Sequence, residues 1–132
     1  MSESTHFLSI LQLGIRIQHV NQKLERDTGM SLTQWSLLKC LVDHPTISAL
    51  DLADLLGIQA SSLTQSIKRL QRKGLIIVAK DPLDARRKLL SVTREGNVRL
   101  LEVDRKLKAW KSSAKLSSSS VQEVFRDLKQ FL

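Results

Sequence analysis

Asp84, Arg86, Arg87 and Lys88 lie within the stretch KDPLDARRKLL, where a Pro/Asp turn and three consecutive cations follow the apolar run LIIVA. Residues of these types support three chemistries. Asp81 and Asp84 could form an acid pair, the cations could grip an anion, or all the charges could simply keep a loop in water. An acid pair needs a cleft that pushes two titrations apart, and the tip of a hairpin supplies none. A carboxylate two residues before a guanidinium can instead aim it. An aimed arginine suits the narrow, electronegative minor groove of duplex DNA. On that reading Arg86 is the groove contact, Asp84 its orienting partner, and Arg87 and Lys88 are phosphate ligands or solvated neighbours.

A second set of candidates lies upstream in ASSLTQSIKRLQRK, residues 60–73. At about 100° per residue, Leu63, Ile67 and Leu70 share one helical face. Ser61, Gln65, Lys68 and Arg72 then fall on the opposite stripe, flanked by Ser62, Thr64 and Arg69. The exposed face thus offers hydroxyls and an amide first and cations later. In a helix that reads DNA, short side chains near the N-terminus allow close approach, Gln65 can present a donor and an acceptor to an adenine edge, and the cations neutralise phosphate. A solvated amphipathic face is the competing account of this helix taken alone.

The charge distribution bears on both sets. The 132-residue chain carries a net +8 with a pI near 10.1. Residues 60–88 hold eight cations against two acids, whereas the remainder holds 13 against 11. Such focusing is expected of a surface that meets a polyanion. The length suits one domain, 1–132, and a composition of 42% hydrophobic and 26% charged residues is that of a globular one. A single cysteine, Cys40, excludes an internal disulfide framework. No apolar run is long enough for a membrane span and the first residues lack a cationic leader, so a cytoplasmic location is expected.

The elements that would position these residues follow from periodicity. Apolar residues from Phe7 to Leu24 predict a long helix ended near Gly29. Thr33 is placed to cap a second helix through Val42, stopping before Pro45. Ser48 is expected to cap a third, with Asp51 as its box-like partner, Ile47 and Leu52 as staple, and Gly57 as terminator. The helix at 60–73 follows after a tight Gly-containing turn, which is the helix-turn-helix pattern. Beyond Gly74, LIIVAK and RRKLLSVT read as two strands around the DPLDA turn, a wing. Thr93 is placed to cap a helix through Trp110, and Ser120 with Glu123 to open a last amphipathic helix. The fold class is therefore mainly α with a small β-hairpin: a winged helix-turn-helix at 30–93 between helical regions at 1–29 and 94–132.

Other chemistries are poorly supported. Cys40 and His44 are four apart on one helix, but two ligands make no metal site, and His6 and His19 lie on a different helix. Apolar neighbours of Cys40 predict a buried, unreactive thiol. No Gly-rich phosphate loop or nucleophile-base arrangement is present, so neither an enzyme nor a cofactor is expected.

The stretches MSLTQWSLLKCL, ISALDLADLLGIQASSLTQSIKRLQRKGLI and DPLDARRKLLSVTREG resemble the MarR family of winged helix-turn-helix transcription regulators. Val92 stands where the family's wing usually has leucine before Thr-x-x-Gly. The resemblance implies a homodimer whose first and last helices interlock, with one winged region on each half of a pseudo-palindromic operator. It places Ser61, Ser62, Thr64, Gln65 and Lys68 in the major groove and Asp84 and Arg86 in the minor groove. It also implies a transcriptional regulator, with repression the expected direction, and allows a small-molecule effector near Trp35, Trp110 and Ile17. A protein-interaction module using the basic face on an acidic partner is the alternative. Peripheral membrane binding is disfavoured, because the basic helix has no Trp or Phe opposite its charges.

Overall fold

The computed structural model describes residues 3–114 and Arg126. Helix α1 (Glu3–Thr28) is followed by α2 (Leu32–Asp43), α3 (Ala49–Leu56), α4 (Ala60–Arg72), an antiparallel hairpin of β1 (Ile76–Lys80) and β2 (Lys88–Val92), and α5 (Arg94–Ala114). This is a winged helix-turn-helix flanked by long helices. The expected helix opening at Ser120 lies outside the described residues.

Side-chain caps mark where the helices start. Ser48 Oγ accepts from the Asp51 N–H at 3.2 Å, and Thr93 Oγ1 accepts from the Gly96 N–H at 3.0 Å. Each satisfies an orphan donor in a helical first turn. The cap of α2 is Ser31 rather than Thr33, its hydroxyl accepting from the Gln34 N–H at 3.2 Å. Ser31 takes the cap because its extended backbone (φ −79°, ψ 163°) sets its hydroxyl against the Gln34 N–H, while Thr33 already lies inside the first turn. Gly29, with φ 74°, ends α1 as expected. Gly57, with φ 66°, closes α3 in the same way.

The wing also departs from expectation. RRKLLSVT is not all strand: pairing starts at Lys80 with Lys88 and ends at Ile76 with Val92. Arg86 and Arg87 belong to the turn, because Asp81 and Asp84 bend the backbone there. Asp81 Oδ1 accepts from the Leu83 N–H and Asp84 Oδ1 from the Arg86 N–H, and the Asp84 carbonyl accepts from the Arg87 N–H. Side-chain acceptance two residues on is how aspartate competes with a strand ladder.

One core holds these elements together. Leu24 and Met30, Leu37, Leu38 and Leu41 of α2, Leu52 of α3, Leu63, Ile67 and Leu70 of α4, Leu90 of β2, and Leu100 and Val103 of α5 are buried in it. Polar clamps add direction to this packing. Trp35 Nε1 and Lys39 Nζ of α2 donate to the two carboxylate oxygens of Asp104 on α5, each at 2.8 Å. Lys73 Nζ, just past α4, donates to the Gly29 carbonyl at 2.6 Å, and Arg99 of α5 donates to the Thr28 carbonyl. The C-terminal carbonyls of α1 are thereby satisfied by cations, as the helix dipole favours.

Candidate nucleic-acid interface

Helix α4 buries Leu63, Ile67 and Leu70, which leaves Ser61, Ser62, Thr64, Gln65, Lys68, Arg69 and Arg72 exposed. The face inferred from the wheel is the face the structure turns outward. No side-chain hydrogen bond caps its N-terminus at Gln59. The first-turn N–H groups of α4 are therefore left to solvent or to a ligand, at the end of the helix that carries partial positive charge. Thr64 Oγ1 donates to the Ala60 carbonyl at 2.9 Å, so its hydroxyl proton is spent within the helix and only its lone pairs remain to meet a donor. Arg72 Nε reaches back to the Lys68 carbonyl at 3.4 Å, keeping its guanidinium along the last turn.

At the wing tip Asp84 Oδ1 accepts from both the backbone N–H and the Nε–H of Arg86, at 3.1 and 3.2 Å. The arginine side chain is 92% exposed while the carboxylate is partly covered. A fully presented guanidinium with a fixed direction results, and the acid lies to its side. Arg87 behaves differently: its Nη2 donates to Asp51 Oδ2 on α3 at 2.9 Å. Lys88 is exposed at the first residue of β2. Lys73, the C-cap of α4, is instead committed to the Gly29 carbonyl.

Among the described residues the other candidate groups do not assemble into sites. Cys40 is half-buried and burial pushes its thiol above the ordinary range, with the Asp43 carboxylate adding to the rise. A raised thiol is poorly nucleophilic at neutral pH. Among the described residues no three His, Cys, Asp or Glu side chains could hold a metal, and no helix is long and apolar enough to cross a membrane. Of the residues expected near an effector, Trp35 is held by Asp104 and Ile17 lies exposed on α1, while the Trp110 side chain lies outside the described residues.

Two features of the surface had no sequence signal that set them apart. Leu83 projects from the wing tip almost wholly exposed, and Asp51 doubles as a first-turn helix residue and an arginine partner. Its distance from Arg87, 36 residues along the chain, hides that pairing from any local pattern.

Residues 30–88, from Met30 before α2 to the start of β2, match the family model described as MarR family. Over those residues the chain is of MarR type. It is 32% identical over 89 residues to the HTH-type transcriptional regulator YdgJ of Bacillus subtilis (strain 168), an alignment covering 64% of this chain and 54% of YdgJ. It is 27% identical to the homoprotocatechuate degradative operon repressor of Escherichia coli, across 75% of this chain and 68% of that one. The crystal structure of the PcaV transcriptional regulator from Streptomyces coelicolor in complex with its natural ligand superposes with a TM-score of 0.73 at 27% identity. That superposition covers 89% of this chain and 86% of PcaV. The chain spans about half the length of the first curated relatives it matches.

Proposed function

We propose that this chain is a MarR-family, sequence-specific regulator of transcription that binds double-stranded DNA as a homodimer on a pseudo-palindromic operator. The observation that carries the reading is an exposed face of α4 that offers hydroxyls, an amide and cations, together with a wing that presents Arg86, oriented by Asp84. Helix α4 enters the major groove with Ser61, Ser62, Thr64 and Gln65 near base edges. Lys68, Arg69 and Arg72 meet phosphate, and Arg86 enters the neighbouring minor groove beside Lys88. The two copies of a homodimer place two such surfaces about one helical turn apart on the duplex. Repression is the direction proposed, after the operon repressor that the chain resembles along most of that protein's length. Release by a small-molecule effector is proposed by analogy with PcaV, whose structure contains its natural ligand.

In vitro selection of duplexes by the full chain tests the reading. A palindromic consensus should emerge and be bound well above scrambled duplex at moderate salt. Equal binding of selected and scrambled duplex would sink it. Two substitutions then separate the roles. Arg86→Ala is expected to weaken binding to all duplexes by roughly tenfold, because a groove cation is lost, and to flatten the salt dependence by about one unit of slope. Gln65→Ala should leave that slope unchanged and relax the preference at one base position in each half-site, worth about 1–3 kcal/mol of discrimination. Repeating the selection with each variant reads both effects.

A further inference from the structure

Among the described residues, Arg87 is the wing cation paired to another element. Its Nη2 donates to Asp51 Oδ2 at 2.9 Å, joining the base of the turn to the first turn of α3. The pair does not stand by itself. Ser48, which caps α3, forms an isolated antiparallel bridge with Leu89 of β2. The Asp51 N–H in turn donates to Ser48 Oγ at 3.2 Å. Wing and α3 are thus joined by backbone and by charge at one place. Arg87 and Asp51 remain 48% and 57% exposed, and exposed pairs contribute little to stability.

A contact with little stabilising value can still redirect a charge. Each cation that meets phosphate adds a sequence-independent, salt-sensitive increment to duplex affinity. Arg87 is on the cation-rich tip, one residue from Arg86, yet its guanidinium is turned to a carboxylate of its own chain. The same ion pair, beside the Ser48–Leu89 bridge, spans the wing and α3.

We propose that Asp51 is a positioning residue for duplex binding. By holding Arg87 it keeps that guanidinium off the DNA phosphates and sets the wing at the distance from α4 that the operator requires. The consequence is discrimination: non-specific affinity is lowered by one contact while the register of Arg86 is preserved. This rests on the DNA-binding reading above, and deepens it by assigning Arg87 a role other than phosphate ligand.

The test measures, for the full chain, affinity against salt for the selected and the scrambled duplex, with thermal midpoints as a folding control. Asp51→Asn frees Arg87, so its salt dependence should steepen by about 0.9 in slope, and the ratio of selected to scrambled affinity should fall several-fold. Arg87→Ala should lose the same discrimination at unchanged slope. In the combined D51N and R87A variant the slope should return to the wild-type value, because the freed cation is absent. A purely structural pair would change midpoints and not produce this pattern of slopes. The proposal is overturned if R87A flattens the slope by about 0.9 and keeps discrimination, since Arg87 is then a phosphate ligand, or if D51N alters neither quantity. Wild-type protein that fails to discriminate duplexes overturns the parent reading itself, whereas a discriminating wild type with unmoved variants overturns this proposal alone.

Discussion

Combining Leu11→Glu with Ile15→Glu is expected to leave the chain monomeric and to lower affinity for a two-half-site duplex by roughly 100-fold or more. Helix α1 is apolar on two sides. Ile10, Leu13, Ile17, Val20 and Leu24 recur at alternating three- and four-residue spacing; this stripe reaches the core at Leu24, while Ile17 and Val20 are exposed. Leu8, Leu11 and Ile15 form a second stripe on the opposite side and are exposed, each at about half its surface. A helix apolar all round requires cover on more than one side, and the helical two-fold interface proposed for the homodimer supplies it. Two carboxylates on the Leu8–Ile15 stripe leave the Leu24 core contact intact while making the interface untenable, since each would be buried without a partner. Light scattering should report a monomer, and a duplex with one half-site should be bound about as well as by wild type. A variant that stays dimeric, or that keeps operator affinity as a monomer, would remove α1 from the interface.

Gly96→Ala is expected to cost about 3 kcal/mol of stability, at the upper end for overpacking a single methyl group. Gly96 is the third residue of α5, the last residue of the Val-Thr-x-x-Gly run. A Cβ there would overlap the Leu75 carbonyl oxygen and lie 2.7 Å from Val92 Cγ1. The oxygen has no freedom to retreat, because it accepts the Thr93 N–H at 3.0 Å, and the Thr93 hydroxyl is itself fixed on the Gly74 carbonyl at 2.7 Å. In an unobstructed helix the same change would stabilise by about 1 kcal/mol. The sign of the result therefore separates close approach from helix propensity. Urea unfolding should show a lower midpoint with an unchanged denaturant slope; a midpoint at or above wild type would show that α5 can shift off the base of the wing without cost. Because α5 leads from the wing into the region proposed to dimerise, the variant should also lose duplex discrimination.

Much of this architecture is legible in the chain. The α4 face was readable because Leu63, Ile67 and Leu70 obey one helical period, and burial of those three necessarily exposes the residues opposite. Ser48, Thr93, Gly57 and the Asp84–Arg86 pair were readable because each acts within three residues or at its own backbone. The errors are local ones of a different kind. Thr33 was displaced as a cap by Ser31, and the strand reading of Arg86 and Arg87 was defeated by turn hydrogen bonds that strand propensity does not weigh.

By itself the sequence determined the element order, the apolar face of each helix, the wing and the sign of its charge. These depend on interactions between residues a few positions apart, where geometry is nearly set by the backbone. Only the tertiary structure decided which partner each long polar side chain takes. Arg87 meets Asp51 across 36 residues, Trp35 meets Asp104 across 69, and Lys73 meets the Gly29 carbonyl across 44. A lysine or arginine reaches any acceptor within a wide radius at similar energy, so its choice is made by how the helices pack. That choice leaves Arg86 facing outward from the wing and turns Arg87 back toward α3.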